Sequence, residues 1–155
     1  MKNCDKIIII GIGNSGRSDD GLGWAFIDKI KGNLPHNFDC EYRYQLQVED
    51  AELVSHYDVV YFIDAHKKQF DKGFVWSVCS PKATNSFSTH ELDSETVLYL
   101  AKNIYNKKPK ASILGISGNS FQLQIGLSKR AQKNLKKALN FFYETIGLNY
   151  VKTIT

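Results

Sequence analysis

The sequence predicts an α/β sandwich with a mostly parallel sheet, on three observations. Apolar runs of strand length, "KIIII" at 6–10 and "VVYFI" at 59–63, read as strands buried on both faces. Other segments repeat apolar residues at helical spacing, such as Leu22, Ala25, Phe26 and Ile30. The two kinds of segment alternate along 155 residues with no internal repeat, low-complexity stretch or Pro/Gly/Ser linker between them.

Taken in order, Lys6–Ile10 is the first strand, and a helix follows from about Gly21 to near Gly32. "CEYRYQLQ" at 40–47 alternates with period two and predicts a second strand. Glu49–His56 reads as a short helix, "DVVYFIDA" as the next buried strand, and "GFVWSVC" as another after a turn at Asp71-Lys72-Gly73. "STHELDSETVLYLAKNIY" at 88–105 predicts a helix with a Ser/Thr start. Pro109 breaks the chain before the strand "ASILGIS". A last helix opens at Leu127-Ser128, with Ala131, Leu135, Leu139, Phe142 and Ile146 on one face. In such a sheet a ligand site lies off the carboxyl ends of the strands, in the loops after Ile10, Ile63 and Ser117.

The length suits one domain, 1–155, with a sizeable core. At 43% hydrophobic and 12% aromatic residues, the chain is globular rather than disordered. A net charge of +4, much of it in "KRAQKNLKK", does not by itself identify a nucleic-acid binder. Cys4, Cys40 and Cys79 are odd in number and form no C-x-x-C, so neither a disulfide framework nor a zinc knuckle is indicated. There is no signal-peptide layout and no apolar run of about 20 residues, so the expectation is a cytoplasmic protein with no membrane or nucleic-acid partner.

The stretch "IIIIGIGNSGRSDDGLG" holds the chemistry. As a pattern it is a strand leading into G-x-G-x-x-G, the dinucleotide fingerprint. Yet Asp19 and Asp20 stand where the helix opens, and two carboxylates repel a pyrophosphate. The second strand also ends "YRYQLQ" without the acidic residue that would hold a ribose. One of the pair can serve as a helix N-cap, but two exceed what capping needs. Asp64 closes the run "VVYFI". A charge there either accepts backbone N–H groups or faces a cation. His90, in "FSTHELDSET", is either a capping or packing residue at a helix start or a ligand. Two carboxylates and one imidazole at one sheet edge make an incomplete shell for a divalent transition ion, with positions open to water or substrate.

Four stretches in order, "GIGNSGRSDDGLG", "VVYFIDA", "STHEL" and "GNSFQLQIGLS", resemble the hydrogenase maturation proteases of nickel–iron hydrogenases, from about Ile7 to about Leu135. The resemblance implies a three-layer α/β sandwich around a twisted, mostly parallel five-stranded sheet. It also implies an endopeptidase that removes a C-terminal peptide from the hydrogenase large-subunit precursor once nickel has been inserted. That family's metal-contacting residues fall on Asp20, where Glu is more usual, on Asp64 and on His90. The nickel belongs to the substrate, so the shell is completed only when a loaded precursor binds. Where many members carry Asp-Gly-Gly-Thr, this chain reads "YQLQVEDAELV". That resembles a branch with Gln-Leu-x-x-Glu, linked to cytosolic, cofactor-coupled hydrogenases, and makes Gln45 and Glu49 candidate substrate contacts beside their plainer reading as a strand end and an exposed helix start.

Asn14 either closes the loop by an Asx-type turn or sits in the substrate groove. His66 either approaches the site or lies in solvent, and Lys129, Arg130, Lys133, Lys136 and Lys137 are either a solvated helix face or a partner-docking surface. No Ser-His-Asp set and no Cys with a base is assembled, which disfavours covalent catalysis and favours metal-assisted amide hydrolysis. The rival functions are a nucleotide-binding α/β module, a metal hydrolase with other substrates, and a chaperone that binds the precursor without cutting it.

Overall fold

The structure is a computed structural model that describes residues 5–83 and 92–148. Its elements run β1 (Ile7–Ile12), α1 (Leu22–Ile30), β2 (Phe38–Arg43), α2 (Glu49–Ser55), β3 (Val59–His66), β4 (Phe74–Cys79), α3 (Ser94–Tyr105), β5 (Lys110–Ser117) and α4 (Lys129–Ile146). A 3₁₀ turn at Ser18–Gly21 leads into α1. The five strands form one sheet in the order β2-β1-β3-β5-β4, parallel except for β4, which runs antiparallel to β5 at the edge. The expected α/β class and five-stranded, mostly parallel sheet are both present.

The four isoleucines of β1 explain the layering. Successive side chains of a strand point to opposite faces. Ile7 and Ile9 therefore join a core with α1 and α4, while Ile8 and Ile10 join a second core with α2 and α3. Both cores are dry: all four isoleucines are fully buried. In the first core Phe142 of α4 packs edge-on against Phe26 and Tyr61, each at 5.2 Å between ring centroids. The expected α4 face, Ala131 to Ile146, is the buried one.

Two elements differ from expectation. The second strand stops at Arg43 rather than running to Gln47, because β1, its one ladder partner among the described residues, ends at the Ile12–Arg43 pair. Beyond it Leu46 is buried through an isolated antiparallel bridge to Leu92. The third long helix starts at Ser94, not Ser88. Its N-cap is Asp93, whose Oδ1 accepts from the Thr96 amide at 2.8 Å. His90 lies outside the described residues.

The chain leaves β1 for β2 on one side and returns through α2 to β3 on the other. The β1/β3 crevice is thus the point where strand order reverses, the usual place for a ligand in an open parallel sheet. The β1–β3 ladder ends at Gly11–Ile63, and the start of α1 is wedged over the fork. The wedge needs glycine. A Cβ on Gly23 would lie 2.4 Å from the Ile12 carbonyl oxygen and 2.6 Å from that of Ile63. One on Gly11 would lie 2.4 Å from the Gly23 carbonyl oxygen. Since only backbone surrounds Gly23, Gly23→Ala should force α1 off the sheet and cost about 1–3 kcal/mol or more. Chemical denaturation would read this, and an unchanged midpoint would contradict the wedge.

Candidate functional site

The loops after β1, β3 and β5 meet at the carboxyl edge, and backbone bonds join them. The Ser18 amide donates to the Gln124 carbonyl (2.7 Å), Asp19 to Ser120 (2.8 Å), and Gln124 to Gly16 (3.0 Å). The Gly118 amide donates to the His66 carbonyl at 2.8 Å. Ser117 Oγ accepts from the Phe70 amide and donates to the Lys68 carbonyl. Ser18 is held in the left-handed region at φ 52°, uncommon for a residue with a side chain.

The glycine loop spends its amides on itself and its neighbours. Gly13 donates to Arg43, Asn14 to Asp20, Arg17 to Asn14 and Asp20 to Arg17, all at 2.9–3.1 Å. The Gly16 amide donates to Asn14 Oδ1 at 2.8 Å, an Asx-type closure. A pyrophosphate cradle needs such amides unoccupied and aimed at the ligand. This loop is closed against that use.

The adjacent carboxylates have separate tasks. Asp19 is fully buried. Its Oδ2 accepts from the amides of Asn119 (2.7 Å) and Ser120 (2.9 Å) and from Ser128 Oγ (2.8 Å), and its Oδ1 accepts from the Ser128 amide (2.7 Å). Burial would push this carboxyl up, but the four hydrogen bonds outweigh it and hold its pKa below the usual aspartate value. Ser128 in turn caps α4 by accepting from the Ala131 amide. Asp20 is half-buried, and its pKa is raised: burial outweighs the Asn14 amide and the positive charges of Arg17 and Lys67. It has no counterpart of the four-donor set that absorbs Asp19.

Asp64 is half-buried on the central strand, one residue past the end of the β1–β3 ladder and paired in register with Gly115 of β5. Its Oδ1 accepts from the Ala65 amide at 2.8 Å. The 3₁₀ turn that carries Asp20 packs on β3, so Asp20 and Asp64 belong to the same edge of the sheet. Among the described residues no three His, Cys, Asp or Glu side chains gather as a metal site, and His90 is not among them. His66 is exposed, its Nδ1 accepting from the Lys68 amide and its ring edge-on to Phe70.

On the β2 side, Gln45 is half-buried and Glu49 exposed at the start of α2, and both line a groove of about 510 Å³ with Tyr42, Arg43, Tyr44 and Asp50. Sequence reading missed Asp50. It is buried, pairs with Arg43 Nε at 2.9 Å and accepts from the Gln47 amide, so it fixes the wall that carries Gln45. It missed equally the exposed Leu123 and Ile125, in the loop bonded to Ser18. No thiol among the described residues is ready for nucleophilic work. Burial pushes Cys40 and Cys79 each up to about 11, where the thiolate is scarce. No helix among the described residues is long and apolar enough to cross a membrane.

No protein-family model and no curated relative matches the chain. Solved structures do. The hydrogenase maturating endopeptidase HybD from E. coli superposes with a TM-score of 0.73 at 19% identity, over 92% of each chain. A hydrogenase 2 maturation peptidase from Thaumarchaeota archaeon SCGC_AB-539-E09 gives 0.69 at 20% identity, over 93% of this chain and 99% of its own. The [NiFe] hydrogenase maturation protease HycI from Thermococcus kodakarensis gives 0.69 at 20%, over 94% and 95%. Over nearly its whole length, this chain has the fold of those maturation proteases.

The two aspartates should separate on substitution. Asp19→Asn replaces an acceptor that serves four donors and should cost about 3 kcal/mol, a fall in Tm of about 6–12 °C. Because the folded pKa of Asp19 is depressed, its contribution is present above the ordinary aspartate range and is lost as pH falls through its own lower value. Asp20→Asn should leave Tm unchanged or raise it at neutral pH, because an ionised carboxylate with a raised folded pKa works against folding there. Thermal melts of both variants from pH 3 to 8 would show it. Equal losses for the two would refute the division.

Proposed function

We propose that this protein is an endopeptidase that trims the C-terminal peptide from the large-subunit precursor of a nickel–iron hydrogenase after nickel insertion, and that it recognises the nickel carried by that substrate. Asp20, Asp64 and His90 are the residues assigned to meet the ion. The observation that carries this reading is the contrast between Asp19 and Asp20. One carboxylate of the pair is consumed by four hydrogen bonds, while its neighbour is left at the sheet's carboxyl edge, where burial penalises its charge. A carboxylate held at that disadvantage gains most when a cation arrives. The closed glycine loop and the shared fold with maturation proteases support the same reading.

Chemically, two carboxylates and an imidazole offer an ion three hard or borderline donors and no thiolate. Such a set binds a free divalent ion weakly and fits an ion whose other positions are filled by the substrate. The ion, being cargo, is then what the site reads: only a precursor that presents it completes the shell. Hydrolysis adds water to the scissile carbonyl and releases the peptide's new amine. Precursor docking and cytoplasmic location belong to this proposal as well.

The experiment offers the protein precursor with and without nickel and follows C-terminal trimming by mass. Trimming of the loaded precursor alone is expected, with Asp20→Asn and Asp64→Asn each slowing it by at least about 100-fold. Equal trimming of metal-free precursor would refute the recognition of nickel. Tight binding of the loaded precursor without any cut would make the protein a chaperone instead.

A further inference from the structure

The first half of α4 has a feature that its own stability does not ask for. Lys129, Arg130, Lys133, Lys136 and Lys137 are all exposed, and no carboxylate among the described residues pairs with any of them. Lys129, Lys133 and Lys137 succeed each other at i,i+4, which places like charges side by side. Cations near a helix N-terminus also oppose the helix dipole, and α4 carries no acidic residue in its first turn. An incidental solvated face would mix its signs.

Three of these cations, Lys129, Lys133 and Lys136, rim a groove between α1 and α4 of about 670 Å³. Its floor is Ala25, Leu127, Leu135 and Leu139, and Lys29 of α1 stands across from Lys129, Lys133 and Lys136. The groove is also tied to the carboxyl edge, since Leu127 and Lys129 of its lining flank Ser128. Lys129 follows Ser128, whose amide and hydroxyl both bond Asp19, the neighbour of Asp20.

We propose that the α1/α4 groove is a docking surface for an acidic segment of the precursor, with an aliphatic anchor on the apolar floor and carboxylates against the lysine rim. This rests on the function proposed above and adds where the substrate is held. Charge complementarity selects the occupant, because every charged residue that lines the groove, Lys29, Lys129, Lys133 and Lys136, is a cation, with Gln132 neutral among them. The aliphatic floor selects a protein segment over a nucleic acid, since no aromatic side chain among the described residues lines the groove for a base to stack on. Held there, the precursor's metal-bearing end reaches the carboxyl edge without the three ion-binding groups having to supply all of the affinity.

The test is Lys133→Glu/Lys136→Glu, assayed on nickel-loaded precursor for binding by anisotropy and for trimming kinetics across 50–500 mM salt. The expected result is about a tenfold rise in Kd and KM at low salt, an unchanged kcat, and a flatter salt dependence. Tm should hold or rise, since the reversal creates opposite charges at i,i+4 with Lys129 and Lys137 and with Asn140 neutral beyond them. Unchanged Kd and KM overturn the proposal, as does a wild-type protein that fails to bind the precursor. If the wild type binds but does not trim and the variant binds tenfold more weakly, the docking surface stands and the protease reading falls. Salt-sensitive binding of duplex DNA or phosphatidylserine vesicles that the variant loses, with precursor binding intact, also overturns it.

Discussion

Asp19 puts a negative charge where water does not reach, and the carboxyl edge of the sheet is organised around satisfying it. A buried carboxylate without partners costs several kcal/mol, whereas one that accepts four hydrogen bonds is an anchor. Its donors come from residues 119–128, more than ninety positions away, and one of them, Ser128, also caps α4. A single charge therefore fastens the first loop of the chain to the last loop and to the last helix. The backbone of the next residue is fixed with it, which is how Asp20 acquires its position.

The glycines complete the arrangement from the other side. Where β1 and β3 part, α1 descends onto the fork with backbone alone, because nothing larger than hydrogen fits at Gly23. The G-x-G after the acidic pair is thus a packing device, and the loop amides that a nucleotide would use are already bonded. A motif that resembles the dinucleotide fingerprint in letters has the opposite electrostatic character in space. The amides of Gly13, Asn14, Gly16 and Arg17 are occupied, and the two residues at the helix start are acids.

Much of this was legible in the sequence, for physical reasons. Continuous apolar runs report strands buried on both faces, so β1 and β3 and the two-core layering followed from "IIII" and "VVYFI" alone. The 3.6-residue period did the same for α4. Ends were harder to read, because partners elsewhere set them. Nothing local in "CEYRYQLQ" says that β1 runs out opposite Arg43, and Asp93 competes with an earlier Ser/Thr start for the cap of α3. Which of two adjacent aspartates is structural is a question about donors a hundred residues away. Composition cannot answer it, and neither can spacing. The pair of the buried Asp50 with the half-buried Arg43 escaped for the same reason.

Stability and recognition pull apart along this edge. Asp19 strengthens the fold by being satisfied within it. The half-buried Asp20, whose burial outweighs its favourable neighbours, and the like-charged ridge of α4 weaken it. Residues that break local rules without compensation inside the molecule are expected where the compensation arrives from outside. Here the two features are opposite in sign and joined through Ser128 and Asp19: an edge carboxylate whose charge burial penalises, and a groove whose lysines form no ion pair among the described residues. One substrate that presents a metal ion and a carboxylate-bearing segment together answers both. A free metal ion answers only the first and a polyanion only the second, so the pairing itself favours the proposed precursor over either ligand alone.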